Sequence, residues 1–501
     1  MKRAAFWEED KVGNQELYVH NGDSWELSSI PEVDADAFRQ RILKECSQGA
    51  RLVNLFAAAE NGGGIKIFAI LGKDQEGRLS VLSRRIPQNT DSFQSLTPEL
   101  PQAHMFEREM AEQFSITPVG HPWPKPVRRH EQIYPFYRVE GEEVHEVAVG
   151  PVHAGIIEPG HFRFQCHGEE ILNLEIQLGY QHRGIEKMME EVSAERAVLL
   201  AESIAGDTVI GHTLAYCNVL ESLSDCEDSP RAEAIRAVAL ELERLSNHSG
   251  DLGGLSTDIG FLPSAAYFGR LRGEFLNLLM ELSGNRYGRS LCRPGGVLFD
   301  LDEAMINDFR ERLLMAQKDL KEISELFFTK SSVLSRLEGI GVISKQAVKE
   351  LGLVGPTARA SGCGLDVRTD YAFGMYRFNH IPISTVLSGD VYARALIRWL
   401  ESQRSIEFLL DVLEQIPEGD LQVKVSALKP DHMALAMIEG WRGEIVHVAM
   451  TDSNSRIVRY KIKDPSFHNW MGLSMAVRGA QVSDFPLCNK SFNLSYAGHD
   501  L

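Results

Sequence analysis

Three side chains able to take up and release protons, Glu202, Asp207 and His212, lie close together in a stretch from Ala197 to Leu220 that is otherwise apolar. The apolar run predicts one helix. A carboxylate near an imidazole can pass protons at neutral pH. Buried acids without partners are costly, so the cluster is either ion-paired or used for chemistry, and Arg244 and Arg359 are its candidate partners. Thiols follow another pattern. The seven cysteines are Cys46, Cys166, Cys217, Cys226, Cys292, Cys363 and Cys488, and no two form a Cys-x-x-Cys. Zinc ribbons and iron–sulfur loops need that spacing. The scattered, odd set predicts reduced thiols packed as small buried hydrophobes.

These residues need a scaffold, and the chain has length for two or three domains in its 501 residues. With 44% hydrophobic and 24% charged residues the composition is globular. A net charge of −18 argues against a nucleic-acid partner. No apolar run is long enough to span a bilayer. The opening segment Met1 to Asp10 turns acidic at once and lacks a signal-peptide core. The expectation is a protein on the cytoplasmic side that reaches the membrane only through partners.

Residues 1–125 read as a small α+β unit. Asp34 to Gln48 has helical spacing with Phe38, Ile42 and Leu43 on one face, and residues 51–57 and 65–71 read as strands joined across Asn61-Gly62-Gly63-Gly64. The proline-dense stretch from Gly120 to Pro126 predicts an extended connection, with a linker over 126–145. Residues 146–501 open with strands at 144–150 and 171–178. Helices then follow over 188–222, 231–247, 263–283, 300–326 and 389–413, and strands return at 443–449 and 457–462. The whole is α+β: a helical bundle flanked by β-structure, preceded by the small unit.

Ordered landmarks tie this layout to known families. Phe106-Glu107-Arg108-Glu109 with Gly120-His121-Pro122 resembles the signature of the small β-rich core subunit of respiratory complex I. Gly150-Pro151-Val152-His153, Gly179-Tyr180 through Lys187, Glu241 through His248, Arg293-Pro294-Gly295-Gly296, Arg359 through Gly362, Gly389-Asp390 through Arg394, and Asp464-Pro465-Ser466 follow in order. They resemble the quinone-site core subunit of complex I and the large subunit of energy-converting, formate-hydrogenlyase-type nickel–iron hydrogenases. Fusion of the two units is typical of that last branch. Its Glu-x-x-Cys-Gly-x-Cys-x-x-x-His frame is occupied here by Glu202 through His212, with Ala205 and Thr208 at the cysteine positions. Near the end, Asp484 through Lys490 offers Cys488 alone where hydrogenases carry a second Cys-x-x-Cys. The tail from Lys490 to Tyr496 is similar to hydrogenase-related complexes that have lost the nickel cysteines. A nickel–iron centre needs soft thiolates, so none is expected.

The resemblance implies roles. His161, or His153 in the same segment, stands for the histidine offered to a quinone headgroup. Asp258, spaced from Asn247-His248 as in complex I, stands for the aspartate that holds that imidazole in one tautomer. Leu200 replaces a tyrosine of complex I, and a leucine cannot donate that hydrogen bond. Glu202 matches the proton-relaying glutamate beside nickel, with His212 nearby. Arg293 and Arg359 match positions lining the cavity, and without metal Arg359 is expected in a structural ion pair. The implied partners are an iron–sulfur subunit of the hydrogenase small-subunit type and a membrane arm of antiporter-like subunits. The implied function is electron transfer from that partner's cluster to a quinone or another small acceptor. The alternatives are a hydrogenase large subunit and a non-catalytic scaffold around a degenerate metal site.

Overall fold

The computed structural model describes residues 16–60, 63–88, 90–128, 134–152, 158–226 and 229–501. Short strands β1 (Leu17–Val19) and β2 (Ser24–Glu26) precede helix α1 (Ala35–Ser47), which starts where the Asp34 carboxylate accepts the Ala37 N–H at 2.8 Å. Strands β3 (Arg51–Ala59), β4 (Ile65–Lys73) and β5 (Arg78–Ile86) then form an antiparallel sheet in the order β1-β5-β4-β3. These strands are apolar nearly throughout because both sheet faces are covered. Phe38 and Ile42 of α1 and Phe106 of α2 (His104–Phe114) pack on one face beside Leu55. Val53, Phe56 and Phe68 face the core of the rest of the chain. The short strands β6 (Ser92–Gln94) and β7 (Thr117–Val119) pair in parallel at the end of this unit. The hairpin residues Asn61 and Gly62 lie outside the described residues.

Strands β8 (Val144–Val149), β9 (His161–His167) and β10 (Glu170–Gln177) make a second antiparallel sheet. Beyond it the expected single helix is three: α3 (Ile185–Glu191), α4 (Ala194–Ala201) and α5 (Val209–Leu223). Ser203, Gly206, Asp207 and Thr208 are poor helix formers that favour turns, and the chain breaks there. Glu202 therefore ends α4, Asp207 lies in the turn, and only His212 is helical. The turn frees the first N–H groups of α5, and Glu243 supplies their acceptor, taking those of Ile210 at 2.7 Å and Gly211 at 3.2 Å.

The bundle is built on α6 (Pro230–Asp258), α7 (Leu262–Ser283), α8 (Glu303–Thr329) and α13 (Val391–Glu414), with the short helices α9 (Ser331–Leu337), α10 (Lys345–Leu351), α11 (Gly355–Arg359) and α12 (Val367–Asp370) between the last two. Ser229 caps α6 and Pro230 takes its first position, where a missing N–H costs nothing. The helix runs a further three turns beyond the expected end at Asn247, which makes Asp258 its last residue. Strands β11 (Cys292–Arg293) and β12 (Gly296–Val297) turn through Pro294-Gly295. A Cβ on Gly295 would sit 2.3 Å from the Val423 carbonyl oxygen, so only glycine fits.

The last sheet has the order β15-β14-β13-β2, from β13 (His432–Gly440), β14 (Gly443–Thr451), β15 (Ile457–Lys463) and the early strand β2. Ser24 to Glu26 pairs with His432 to Ala434, so the first unit lends a strand to the second. Helices α14 (Ser466–Ala476), α15 (Phe485–Phe492) and α16 (Ala497–Asp500) close the chain, and α5 lies across β13 and β14. No helix among the described residues is long and apolar enough to cross a membrane.

Candidate active site

The tight turn Gly440-Trp441-Arg442-Gly443 between β13 and β14 drives two large side chains into the break before α5. Arg442 grips Asp207 with two parallel bonds, Nη1 to Oδ1 at 2.6 Å and Nη2 to Oδ2 at 2.7 Å. Its Nε donates to the Asn493 carbonyl at 2.6 Å. Trp441 donates to the Asp207 carbonyl at 2.9 Å and to Thr208 Oγ1 at 3.1 Å. Asn493 in turn bonds Asp251, which also accepts Arg398 Nε at 2.5 Å. Burial pushes the Asp207 carboxyl up, but the Arg442 charge and its bonds outweigh this and hold it below the usual range. The first cysteine-less motif and the tail are thus joined by a guanidinium. A nickel–iron centre does not fit this donor set. Ala205 and Thr208 supply no thiolate, and the Cys488 thiol, pushed up to about 11 by burial, faces Gly341 and Arg394 instead.

His212 belongs to a different buried chain. Its Nε2 lies 3.2 Å from Asp464 Oδ2 and its Nδ1 3.1 Å from His447 Nε2, while His447 Nδ1 meets the Tyr460 hydroxyl at 2.9 Å. With Asp464 ionised, one polarity satisfies all four groups: Tyr460 donates to His447, His447 to His212, and His212 to Asp464. Burial and the neighbouring His212 hold His447 well below the usual imidazole range, so that ring is neutral. Such a chain can shift a proton only by reversing every bond in it.

Arg244 and Arg359, the expected partners of the Glu202 cluster, are engaged elsewhere. Arg359 is fully buried and donates to Glu401 at 2.7 Å and Glu439 at 2.8 Å. Arg368 joins Asp366 at 2.7 Å and Glu241 at 3.2 Å, and Arg244 meets Glu241 at 3.1 Å. His248 Nε2 bonds Glu401 at 2.9 Å. Three guanidiniums thus face the four carboxyls of Glu241, Asp366, Glu401 and Glu439. One carboxyl is left over, and burial together with the Asp366 charge pushes Glu439 up to about 7. Glu202 takes Arg293 as its partner, accepting its Nη1 and the Ser290 N–H, each at 2.8 Å.

The remaining candidates sit at an edge. His161 opens β9, half-buried, with Nδ1 3.3 Å from the Gly150 carbonyl and its ring 5.5 Å from that of Phe136. Asp258 is exposed at the end of α6, where burial of its inner side raises the carboxyl and Lys490 pulls it down by less. The two do not hydrogen-bond, contrary to expectation. Phe485 at one end of α15 packs on Phe162 and Phe164 beside His161, and Lys490 towards its other end acts on Asp258. Five residues of helix between them span about 8 Å. Leu199 near the end of α4 and Leu262 at the start of α7 are exposed, 53% and 66%. His153 lies outside the described residues.

His447 and Glu439 carry no mark in the sequence. Asp464 stood in a recognised landmark without a role. The Gly440 to Gly443 frame around Arg442 was the one available signal, since a tight turn fixes where its middle residues point.

The fold is that of a core subunit of an oxidoreductase complex. The "Respiratory-chain NADH dehydrogenase, 30 Kd subunit" family matches residues 36–138, and the corresponding "49 Kd subunit" family matches 258–433 and 421–500. Formate hydrogenlyase subunit 5 of Escherichia coli (strain K12) is 28% identical over 484 residues, covering 90% of this chain and 85% of its own. Carbon monoxide-induced hydrogenase of Rhodospirillum rubrum is 31% identical over 348 residues, covering 69% of this chain and 96% of its own. A chain of the membrane-bound sulfane sulfur reductase, an archaeal respiratory membrane complex, superposes with a TM-score of 0.68 at 25% identity, over 73% of this chain and 100% of that one. The chain belongs to the family of fused complex I core subunits and membrane-bound hydrogenase large subunits, oxidoreductase subunits that act within membrane-bound respiratory complexes.

Proposed function

We propose that this subunit passes electrons from the iron–sulfur cluster of a partner to a small acceptor, a quinone or another small oxidant, at the edge carrying His161 and Asp258. The observation that carries the reading is the bidentate Asp207–Arg442 pair: it links the two motif ends with a guanidinium where thiolates would be needed for nickel–iron chemistry. A quinone needs two electrons and two protons. The half-buried imidazole of His161 can donate a hydrogen bond to its oxygen and pass a proton, and Asp258 can take part in resupply. Glu202 and the His212 chain are the inner proton carriers, and uptake there couples to a membrane arm of antiporter-like subunits. The iron–sulfur subunit docks on this edge, and the assembly sits on the cytoplasmic side of the membrane.

Sulfane sulfur as the acceptor is a second reading. It is favoured by the replacement of both cysteines at Ala205 and Thr208 together with the likeness to a chain of the sulfane sulfur reductase. The test is turnover of the purified complex with a reduced viologen as donor and a quinone analogue, polysulfide or protons as acceptor. Turnover with one of the first two and none with protons supports the reading. Hydrogen evolution, with nickel near one atom per chain, overturns it.

A further inference from the structure

A half-open cavity of about 280 Å³ lies where the two units meet, between α2, residues 122–127, β10 and α14. None of the candidate residues above line it. Its walls are apolar and aromatic, from Met105, Trp123, Leu174, Phe467, Trp470 and Met471. Set into these walls is Arg108, only 6% exposed. Its guanidinium donates through Nε to the Lys125 carbonyl, through Nη2 to the Pro126 carbonyl at 3.3 Å, and through Nη1 to the Met105 sulfur at 3.2 Å. It lies 4.3 Å from the centre of the Trp123 ring. Among the described residues, three contacts leave two of the five guanidinium N–H groups without an acceptor, and Arg108 forms no ion pair. Burial lowers Arg108 to about 10, so it remains a cation at neutral pH.

The other charges of the cavity reinforce it. Lys125 pairs with Glu175 at 2.7 Å, and Arg478 stands exposed on the lining with Nη2 3.3 Å from Asn173. Three cations thus face one carboxylate, in a chain whose net charge is −18. Two further buried polar atoms on lining residues, His104 Nε2 and His499 Nδ1, have no hydrogen-bond partner among the described residues. A buried cation with spare donors in an apolar wall is costly unless something completes it.

We propose that this cavity is a binding site for a small amphiphilic monoanion, with its acid group on Arg108 and its apolar body between Trp123 and Trp470. A medium-chain carboxylate is the simplest member of the class. A planar guanidinium suits a carboxylate, the aromatic walls suit a hydrocarbon or ring, and the volume suits one chain rather than a two-chain lipid. The occupant would touch both units and tie them together.

The experiment is equilibrium dialysis of labelled decanoate against the purified complex, with decanol as the uncharged competitor. Arg108→Gln removes the charge, and Met471→Trp fills the cavity from a half-exposed position that leaves the ion pairs intact. The expected result is one saturable site per chain, weakened at least tenfold by either substitution, with decanol competing at least tenfold less well than decanoate. If Arg108→Gln fails to assemble, Met471→Trp and the decanol comparison decide. Absence of saturable binding, or binding unchanged in Met471→Trp, overturns the proposal, and equal competition by decanol overturns the role of charge.

Discussion

The interior junction and the outer edge of this subunit treat polar groups in opposite ways. At the junction, Asp207, Arg442, Asn493, Asp251 and Arg398 form one unbroken series of charge-assisted bonds. At the edge, among the described residues, His161 keeps one long hydrogen bond to a carbonyl and the Asp258 carboxylate keeps no hydrogen bond, only the pull of Lys490. Charges that answer each other hold a structure together, because removing one leaves the other stranded. Polar groups held only loosely by the described residues are the ones available to a substrate or a partner. On the proposed function, the Asp207–Arg442 end of the motif that resembles a metal site serves the fold, and reduction of the acceptor falls to the edge.

The strongest way to break this contrast is Arg442→Ala. It strands Asp207 and the Asn493 carbonyl, and a loss of ~2–4 kcal/mol is expected in denaturant unfolding. The pair Asp207→Asn with Arg442→Gln should lose less than the single change, since no charge is left unpaired. Asp258→Asn is expected to do the reverse, leaving stability within about 0.5 kcal/mol while slowing acceptor reduction by about tenfold or more.

The pH dependence sharpens the picture in two directions. Burial lowers His104 and His499 to about 3 and His121 to about 4. The unfolded chain then binds protons first, so stability is full above the ordinary histidine value of 6.5 and falls as pH drops towards those folded values. Glu439 and Glu243 are instead raised by burial, to about 7 and about 8. There the folded state holds the proton more tightly, so stability is lost as pH rises from the ordinary 4.5 through those values. Thermal melts across pH should show a narrow maximum near neutrality. Glu439→Gln should flatten the alkaline side and cost less than about 1 kcal/mol at pH 7, because the carboxyl it replaces is near its midpoint. The smallest effect is expected for Cys488→Ser, which should leave acceptor turnover unchanged because that thiol packs against Gly341 and Arg394.

Much of this was legible in the residues. The ordered landmarks located the fold, and Ala205 and Thr208 at the cysteine positions argued against a nickel–iron donor set from sequence alone. Helix periodicity found the bundle, yet it extended one helix through Ser203 to Thr208, because local turn preference is a weaker pattern than a run of apolar residues. Strand β13 escaped notice since both of its faces are buried and no alternation marks it. Pairing was the least readable property. Arg442 lies 235 positions from Asp207, and nothing local in either segment names the other. Arg244 and Arg359 were plausible partners by charge alone, but buried charges choose partners by three-dimensional placement. The separation of His161 from Asp258 by α15 was invisible for the same reason.

The decisive measurement is the reoxidation rate of the pre-reduced partner cluster in the purified complex after mixing with a quinone analogue or polysulfide, comparing the natural protein with Asp258→Asn and with Asp207→Asn/Arg442→Gln. Fast reoxidation that is lost in Asp258→Asn and kept in the folded double variant is expected if the edge does the chemistry and the junction only holds the fold. Reoxidation unaffected by Asp258→Asn and abolished by the double variant would place the chemistry at the junction and contradict this division.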